Sequence, residues 1–374
     1  MRVLQFGKFF PPDLGGIETV IEDLTLGLNK RGISCDVLCS NSKLKYEEST
    51  LPCGAKIMRC ASFGKFASTS IAPQMIFKLR KIIDNYDIIH MHLPDPMANL
   101  ALLLANYKNK IIILHWHSDI IKQKRLLKLY LPLQQKLLKI ATAIIATSNK
   151  YIEESAFLPK FRDKCVGIPI GVNKESLVAD DVDKDIIRFP KNKKVIFSLG
   201  RFATNKGFEY LIESAKYLSD EYVIFIGGSG NEALKKQFEE QVRAEGLENK
   251  VYLMGRIKRN NLQYYYKNCH IFALPSIQES YGIVLVEAMS FGKPIICTKL
   301  YPSGNDWINM HNKTGLVIES KNPQAIAKAI EEIEKNYNYF ANNAYNRYLE
   351  EFKQETMIDN IISLYKKLLK NGRI

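Results

Sequence analysis

Short apolar runs alternate with amphipathic stretches along nearly the whole chain. In the first half, runs of strand length lie at Val3–Phe6, Cys35–Cys39, Lys56–Cys60, Ile88–His92, Ile111–His115, Ala143–Thr147 and Lys164–Ile168. Helical spacing fills most of the gaps between them. Around Ala179–Lys193 the chain turns polar and charged and includes Pro190, a linker signal. A second series follows at Lys194–Leu199, Tyr222–Gly227, Val251–Met254, Ile271–Leu274, Pro294–Cys297 and Gly315–Ile318, and the tail from Pro323 is helical in composition. Strands that alternate with helices predict α/β architecture with parallel sheets. The pattern predicts two doubly wound, Rossmann-like domains, 1–185 and 186–350, followed by a last helix over 351–374. Tandem domains of this kind place a ligand in the cleft between them, at the carboxyl ends of the strands.

Composition narrows the class. The 374 residues are 46% hydrophobic and 25% charged, the balance of a soluble globular protein with two cores. No apolar run reaches the ~18 to 20 residues of a membrane span. Met1–Phe6 reads as a strand and not as a secretory signal, so the chain is expected in the cytoplasm. Seven cysteines without a Cys-x-x-Cys pair predict reduced thiols. The net charge of +14 implies an anionic partner, and its excess is local. Between Met97 and Lys150 the one acidic residue, Asp119, faces nine basic ones.

Four constellations carry candidate chemistry. Gly15-Gly16 follows the first strand and precedes a helix. Paired glycines there let a ligand reach backbone amides where the helix dipole favours an anion, although a plain tight turn has the same sequence. His90-x-His92 and His115-x-His117 sit at strand ends, each pair pointing to one face. Four imidazoles suit zinc, but no acidic or thiol ligand stands at a typical spacing, and no metal is expected. His90 fits a core histidine, and His117, before Ser118-Asp119, fits a cleft. Gly200-Arg201…Lys206-Gly207 follows a strand directly, and its two cations can bracket a diphosphate. Gly227-Gly228-Ser229-Gly230 adds a close-approach turn on the same edge. The segment Pro275–Met289 ends a strand, carries Glu279 in a polar loop, and opens a helix at Gly282 that bears Glu287. Its first amides form an anion site, and its two carboxylates suit sugar hydroxyls. Paired glycosidase carboxylates are the competing reading, but a hydrolase has no need of a diphosphate cradle.

Taken in order, Gly15-Gly16, His117, the Gly200–Gly207 loop and Glu279-x7-Glu287 resemble the retaining glycosyltransferases of family 4, over nearly the whole chain. The resemblance implies a GT-B fold, two Rossmann-like domains facing each other across a cleft, with the final helix crossing back to the first. It implies an acceptor-binding first domain and a nucleotide-sugar-binding second one. Arg201 and Lys206 would bind the donor diphosphate with Gly200, Gly228 and the amides near Gly282, Ile283 and Val284. Glu287 would hold the ribose, Glu279 the sugar hydroxyls, and Arg256-Ile257 would lie near the base. Gly16 would let the diphosphate close on the first domain, and His117 would sit beside the transferred sugar. Tyr281 replaces a common Phe without disturbing the loop. The catalytic set is thus expected to be His117, Arg201, Lys206 and Glu279, with no cofactor and no divalent metal.

The acceptor follows from charge. Ile120–Lys139 alternates basic and apolar residues, and Lys122, Lys124, Arg125 and Lys128 are the expected membrane and acceptor contacts. An ordinary domain helix with an apolar inner face has the same pattern. The resemblance favours a polyprenyl-diphosphate-linked saccharide at the inner face of the cytoplasmic membrane, with peripheral association. The form His115-Trp116-His117-Ser118-Asp119-Ile120 resembles bacterial O-antigen and polysaccharide mannosyl- or rhamnosyltransferases, which points to GDP-mannose, with a UDP-hexose or UDP-HexNAc as the alternative. A nucleic-acid-binding protein would interleave aromatics with its basic patch, and here only Tyr130 does so. A non-catalytic scaffold of the same fold would have lost Glu279, Glu287 or the Arg201/Lys206 pair, and all four are present.

Overall fold

The alternating runs become two parallel sheets. The structure is a computed structural model that describes residues 1–13, 15–66, 69–120, 124–178, 183 and 186–371, the side chains of Lys124 and Arg125 excepted. Two units form, Met1–Ile170 with Gln354–Ile374, and Gly171–Lys353. The chain passes between them at Ile170, ahead of the polar interval. The reason is local: Val172 pairs with Lys353, its amide donates to Phe352 O at 2.8 Å, and Tyr348 Oη donates to its carbonyl at 3.1 Å. Most of the expected linker core, 179–182 and 184–185, lies outside the described residues.

The first unit contains β1 (Arg2–Phe6), α1 (Gly16–Lys30), β2 (Ser34–Ser40), β3 (Glu47–Thr50), β4 (Lys56–Cys60), the short hairpin β5 (Lys65–Phe66) and β6 (Thr69–Ser70), α2 (Gln74–Ile82), β7 (Ile88–Leu93), α3 (Pro96–Leu103), β8 (Ile111–Trp116), α4 (Lys124–Ile140), β9 (Ala143–Ala146), α5 (Asn149–Glu154) and β10 (Cys165–Gly167). Its sheet runs β10-β9-β8-β7-β1-β2-β4-β3. Only the edge pair β3–β4 is antiparallel. Polar β3 and the hairpin carry no apolar run, so the hydrophobic pattern does not mark them.

The second unit contains β11 (Lys194–Leu199), α6 (Phe208–Ser214), β12 (Tyr222–Gly227), α7 (Glu232–Ala244), β13 (Val251–Gly255), α8 (Leu262–Asn268), β14 (Ile271–Leu274), α9 (Ile283–Ser290), β15 (Ile295–Thr298), α10 (Asn305–Ile308), β16 (Gly315–Ile318), α11 (Pro323–Lys335) and α12 (Tyr337–Glu351). Its sheet is fully parallel, in the order β13-β12-β11-β14-β15-β16. The last helix, α13 (Gln354–Asn371), packs on α1 of the first unit. A side chain at Gly27 of α1 would meet Ile358 of α13 at 2.2 Å, so this glycine sets how closely the two helices approach.

The two faces of the first sheet differ in chemistry. One side buries Leu4, Phe6, Met91, Leu114 and Trp116 against Leu79, Leu102 and Leu138 from α2, α3 and α4. The alternate positions carry Gln5, His90, His92 and His115, all essentially inaccessible to solvent, with His117 just beyond β8. Register brings them together: Gln5 lies opposite His90, and His92 opposite His115. Tyr365 of α13 covers this layer by a hydrogen bond to His90 Nδ1.

Burial lowers the basicity of all four imidazoles, His115 to about 3. Their folded-state pKa values lie below the ordinary 6.5, so their contribution to stability is complete above pH 6.5 and is lost as pH falls towards 3. Asp95, pushed up to about 6 by burial, acts the other way between pH 3.8 and 6, as do Glu18 and Glu209, whose carboxyls burial also raises. Urea unfolding at pH 7.5, 6.5, 5.5 and 4.5 is expected to show stability falling with acidity below 6.5, each histidine contributing up to about 1.4 kcal/mol per pH unit. A flat profile would mean that these imidazoles are not held neutral by the fold.

Candidate functional site

In the second sheet the strand order turns back between β11 and β14. Loops after these neighbouring strands leave in opposite directions, which opens a crevice at their carboxyl ends. The two loops are Gly200–Gly207 and Pro275–Gly282, the segments that carry Arg201, Lys206 and Glu279. The backbone ties them together: Ile277 and Gln278 amides donate to Asn205 O at 2.9 and 3.2 Å, and Asn205 Nδ2 donates to Gln278 O at 3.0 Å. Gly207 is left-handed at φ +65°, and a Cβ there would strike Pro275 O at 2.2 Å. Gly228 is pressed equally hard, since its Cβ would fall 1.8 Å from Gly200 O. Its place beside Gly200 is therefore backbone against backbone.

Lys206 Nζ forms an ion pair and hydrogen bond with Glu279 Oε2, both side chains largely buried. Two residues picked out separately in sequence, 73 positions apart, are thus one unit in space. Arg201, by contrast, is exposed to solvent. The Gly200–Gly207 loop therefore holds one cation already committed to a carboxylate and one open to an incoming anion.

Gly282 caps α9 in a left-handed conformation, φ +82° and ψ +53°, and its Cβ would meet Asn305 Oδ1 at 2.8 Å. The reversal opens α9, whose first amides, from Ile283 and Val284, have no carbonyl partner in the regular helix pattern. Tyr281 is buried beside Gly304, whose amide donates to Ser280 O at 2.8 Å. Glu287, one turn in, accepts from Tyr266 Oη at 2.5 Å. Tyr266 of α8 is fully buried, and burial with the neighbouring carboxylate keeps its phenol protonated as a donor. Neither Tyr266 nor Asn205 stands out in the sequence, because their partners lie on other elements. Beyond β13, Arg256 and Ile257 help line a cavity of about 530 Å³ with Met254, Lys258, Tyr265 and Ile187. That volume suits a small-molecule fragment. Ile257 packs so closely on Gly227 that a Cβ there would lie 2.3 Å away.

In the first unit the order turns back between β7 and β1. Gly15 caps α1, and the space in front of Gly16 is open: an ideal Cβ there has nothing within 4 Å. Glu18 curls over Gly15, to within 2.1 Å of where its Cβ would be. His117 continues the ladder of β8, its amide donating to Leu93 O at 3.0 Å, and keeps a small exposed edge. His90, as its buried strand position predicts, is a core residue, but it is one of four hydrogen-bonded imidazoles. Nitrogens of His90, His92 and His115 fall within 4.8 Å of one another. Their rings lie stacked, His90 on His92 at 5° and His92 on His115 at 26°. Imidazole lone pairs lie in the ring plane, so stacked rings send them along separate lines, whereas a zinc ion needs them to converge. The arrangement fits a hydrogen-bonded layer.

The basic stretch forms α4. Lys122 lies outside the described residues, as do the side chains of Lys124 and Arg125. The inner face of α4 buries Leu137 and Leu138, while Lys128, Lys136 and Lys139 are exposed with Leu129, 81% accessible. The helix thus packs by its apolar face and still shows a basic side. Phe63, Phe66 and Phe77, from the hairpin region and α2, are also largely exposed. No helix among the described residues is long and apolar enough to cross a membrane.

Known proteins share this plan. A family model described as Glycosyl transferases group 1 matches residues 180–370, and one described as Glycosyltransferase Family 4 matches residues 14–176. O-antigen chain mannosyltransferase C of Escherichia coli is 31% identical, over 99% of this chain and 100% of its own. The D-rhamnosyltransferase WbpZ of Pseudomonas aeruginosa is 29% identical over 88% of this chain and 86% of its own. Among solved structures, sucrose-phosphate synthase from Thermosynechococcus elongatus superposes with a TM-score of 0.79 at 19% identity, covering 99% of this chain and 100% of the other. Anabaena HepE in complex with UDP-glucose gives 0.76 at 18% identity, covering 98% and 100%.

The Lys206–Glu279 pair has a consequence for stability. Removing one partner strands the other in a largely buried place, so Lys206→Met and Glu279→Gln should each cost about 1–3 kcal/mol by chemical denaturation. The double variant should recover part of the summed loss. Strict additivity would show that the pair is not coupled in the folded protein.

Proposed function

Since the chain belongs to glycosyltransferase family 4 and is a sugar-transferring enzyme of the GT-B fold, we propose that it moves mannose from GDP-mannose, with retention of configuration, onto a polyprenyl-diphosphate-linked saccharide of a bacterial surface polysaccharide. The observation that carries this reading is the Lys206–Glu279 pair at the strand-order reversal, beside exposed Arg201 and the amino end of α9. The name of the mannosyltransferase relative supports mannose as the donor sugar.

In this reading Arg201, Lys206 and the amides of Ile283 and Val284 neutralise the donor diphosphate. Lys206 is then shared between Glu279 and phosphate oxygen. Glu279 accepts from hydroxyls of the sugar, and its orientation is fixed by the lysine it already holds. Glu287, fixed by Tyr266, accepts from the ribose. As the bond from the anomeric carbon to the diphosphate oxygen breaks, negative charge grows on the leaving group, where preformed cations and amides stabilise it. The acceptor oxygen bonds to the anomeric carbon from the same face, and its proton passes to the departing phosphate. Charge stabilisation by side chains and amides does the work that a divalent ion does elsewhere, so the reaction is proposed to need no metal. Water must be kept out, because hydrolysis competes with transfer.

The basic side of α4 with exposed Leu126 and Leu129 supports a peripheral position on anionic lipid, at ~1 kcal/mol per basic residue near the surface. The carrier lipid of the acceptor would be reached from that surface.

Thermal shift with GDP, UDP, ADP and dTDP, followed by turnover with the matching sugar nucleotides, tests the donor. GDP should stabilise most and GDP-mannose should turn over, unchanged after dialysis against EDTA. A preference for UDP would replace the donor assignment, and loss of activity with EDTA would remove the metal-free scheme. Arg201→Ala, at an exposed position, should keep its melting temperature and lose on the order of 100-fold in turnover. Sedimentation with anionic vesicles should fall with added salt and with Lys128→Glu plus Leu129→Ser. Binding indifferent to both would exclude α4 as the contact.

A further inference from the structure

The cavity beyond β13 lies within the second unit, at the carboxyl end of its sheet. β13 stands two strands from β11, a lateral distance of ~10 Å at ordinary strand spacing. A nucleoside whose diphosphate sits at the Gly200–Gly207 loop reaches that far. Ile187, Met254 and Ile257 supply apolar wall, and Asp183, Arg256 and Lys258 supply charge. Asp183 is fastened in one orientation. Its amide donates to Asn261 Oδ1 at 3.0 Å, and Asn261 Nδ2 donates to its Oδ2 at 3.2 Å. Turning the Asn261 amide over would break both bonds, so these contacts fix which way it faces. Lys258 Nζ donates to the same Oδ2 at 2.8 Å. That bond, with the one from Asn261, holds the Asp183 carboxyl below its ordinary range, so it is ionised at neutral pH. Among the described residues, Oδ1 is met only by Asn260 Nδ2, at 3.4 Å. Each carboxylate oxygen can accept more than one bond, so Asp183 keeps acceptor capacity for a ligand. Arg256 is exposed at the same cavity.

A carboxylate and a guanidinium on one cavity suit one base. Guanine carries two parallel donors, N1–H and the N2 amino group, and two acceptors, O6 and N7. Uracil flanks its one ring N–H with carbonyl oxygens, which a carboxylate repels. Adenine and cytosine set a ring acceptor beside the amino group. A carboxylate also repels phosphate, so this end of the site is left to the base. We propose that Asp183 is a specificity-determining residue that reads guanine, accepting from N1–H and the N2 amino group while Arg256 donates to O6 or N7. Asn261 and Lys258 position the carboxylate. The inference rests on the GDP reading and deepens it.

Isothermal calorimetry of the full chain with GDP, inosine diphosphate and UDP tests the proposal. Inosine diphosphate keeps O6, N7 and N1–H and lacks only the N2 amino group. Wild type should bind GDP on the order of 10-fold more tightly than inosine diphosphate, and UDP most weakly. Asp183→Ala should weaken GDP most, bring the two purine nucleotides within about twofold of each other, and leave UDP little changed. Arg256→Ala should weaken both purine nucleotides alike and keep their ratio. A wild type that binds UDP most tightly overturns the GDP reading and this inference with it. GDP preferred to UDP but equal to inosine diphosphate overturns the role of Asp183 alone, as does a purine ratio that Asp183→Ala leaves in place. A loss equal across all three nucleotides marks Asp183 as a structural staple and also overturns its role. Should Asp183→Ala not fold, Asp183→Asn, of the same shape with a donor in place of one acceptor, gives the same comparison.

Discussion

A lysine and a glutamate from two loops meet where the strand order of the second sheet turns back, and the local architecture depends on their meeting. Lys206 and Glu279 are largely withdrawn from water, and ions in such a place persist only when paired. The glycines around them follow from the same closeness. Gly207 lies under Pro275 O and Gly228 under Gly200 O, at separations that admit no side chain. The loops are fastened to each other by their own backbone bonds as well as by this pair.

The same pair bears on whether the segment suits building or cleaving a glycoside. Two carboxylates on one segment suit either chemistry. A hydrolase needs one of them protonated or free as a nucleophile. Here Glu279 is neutralised by Lys206 and Glu287 is engaged by Tyr266. Both are occupied as acceptors, which suits holding hydroxyls. Family membership and the transferase relatives agree with that assignment.

The first unit solves a different problem. Its sheet buries five polar side chains in one layer, at positions where an apolar residue would pack without loss of hydrogen bonds. A layer of neutral imidazoles is costly in acid, since the unfolded chain takes up protons that the folded one refuses. What it provides is two rows of side-chain hydrogen bonds from α13 and β1 to the carboxyl end of β8. One row runs Tyr365–His90–His115 and the other Gln5–His92–His117. The chain's last helix thus packs on α1 and also reaches this layer through Tyr365.

Much was legible in the residues. Periodicity located thirteen strands within a residue or two, because parallel strands buried on both faces are short continuous apolar runs. Polar β3 and the hairpin escaped for the same reason. The Gly200–Gly207 loop, Gly282 and the start of α9 were readable because glycine, strand and helix signals are local. The partners were not: Tyr266 for Glu287, Asn205 for the loop after β14, and Gln5 and His92 for His117 each lie on another element, between 21 and 87 positions from the residue or layer they orient. The exit from the first unit at Ile170, ahead of the polar interval, also came from a distant pairing, Val172 with Lys353. Sequence by itself determined which residue types stand at the carboxyl edges, because local propensity and burial act over a few residues. Only the tertiary structure decided which charges are paired and which imidazoles are hydrogen-bonded to one another, because hydrogen bonds and ion pairs join whatever the register of the sheets brings together.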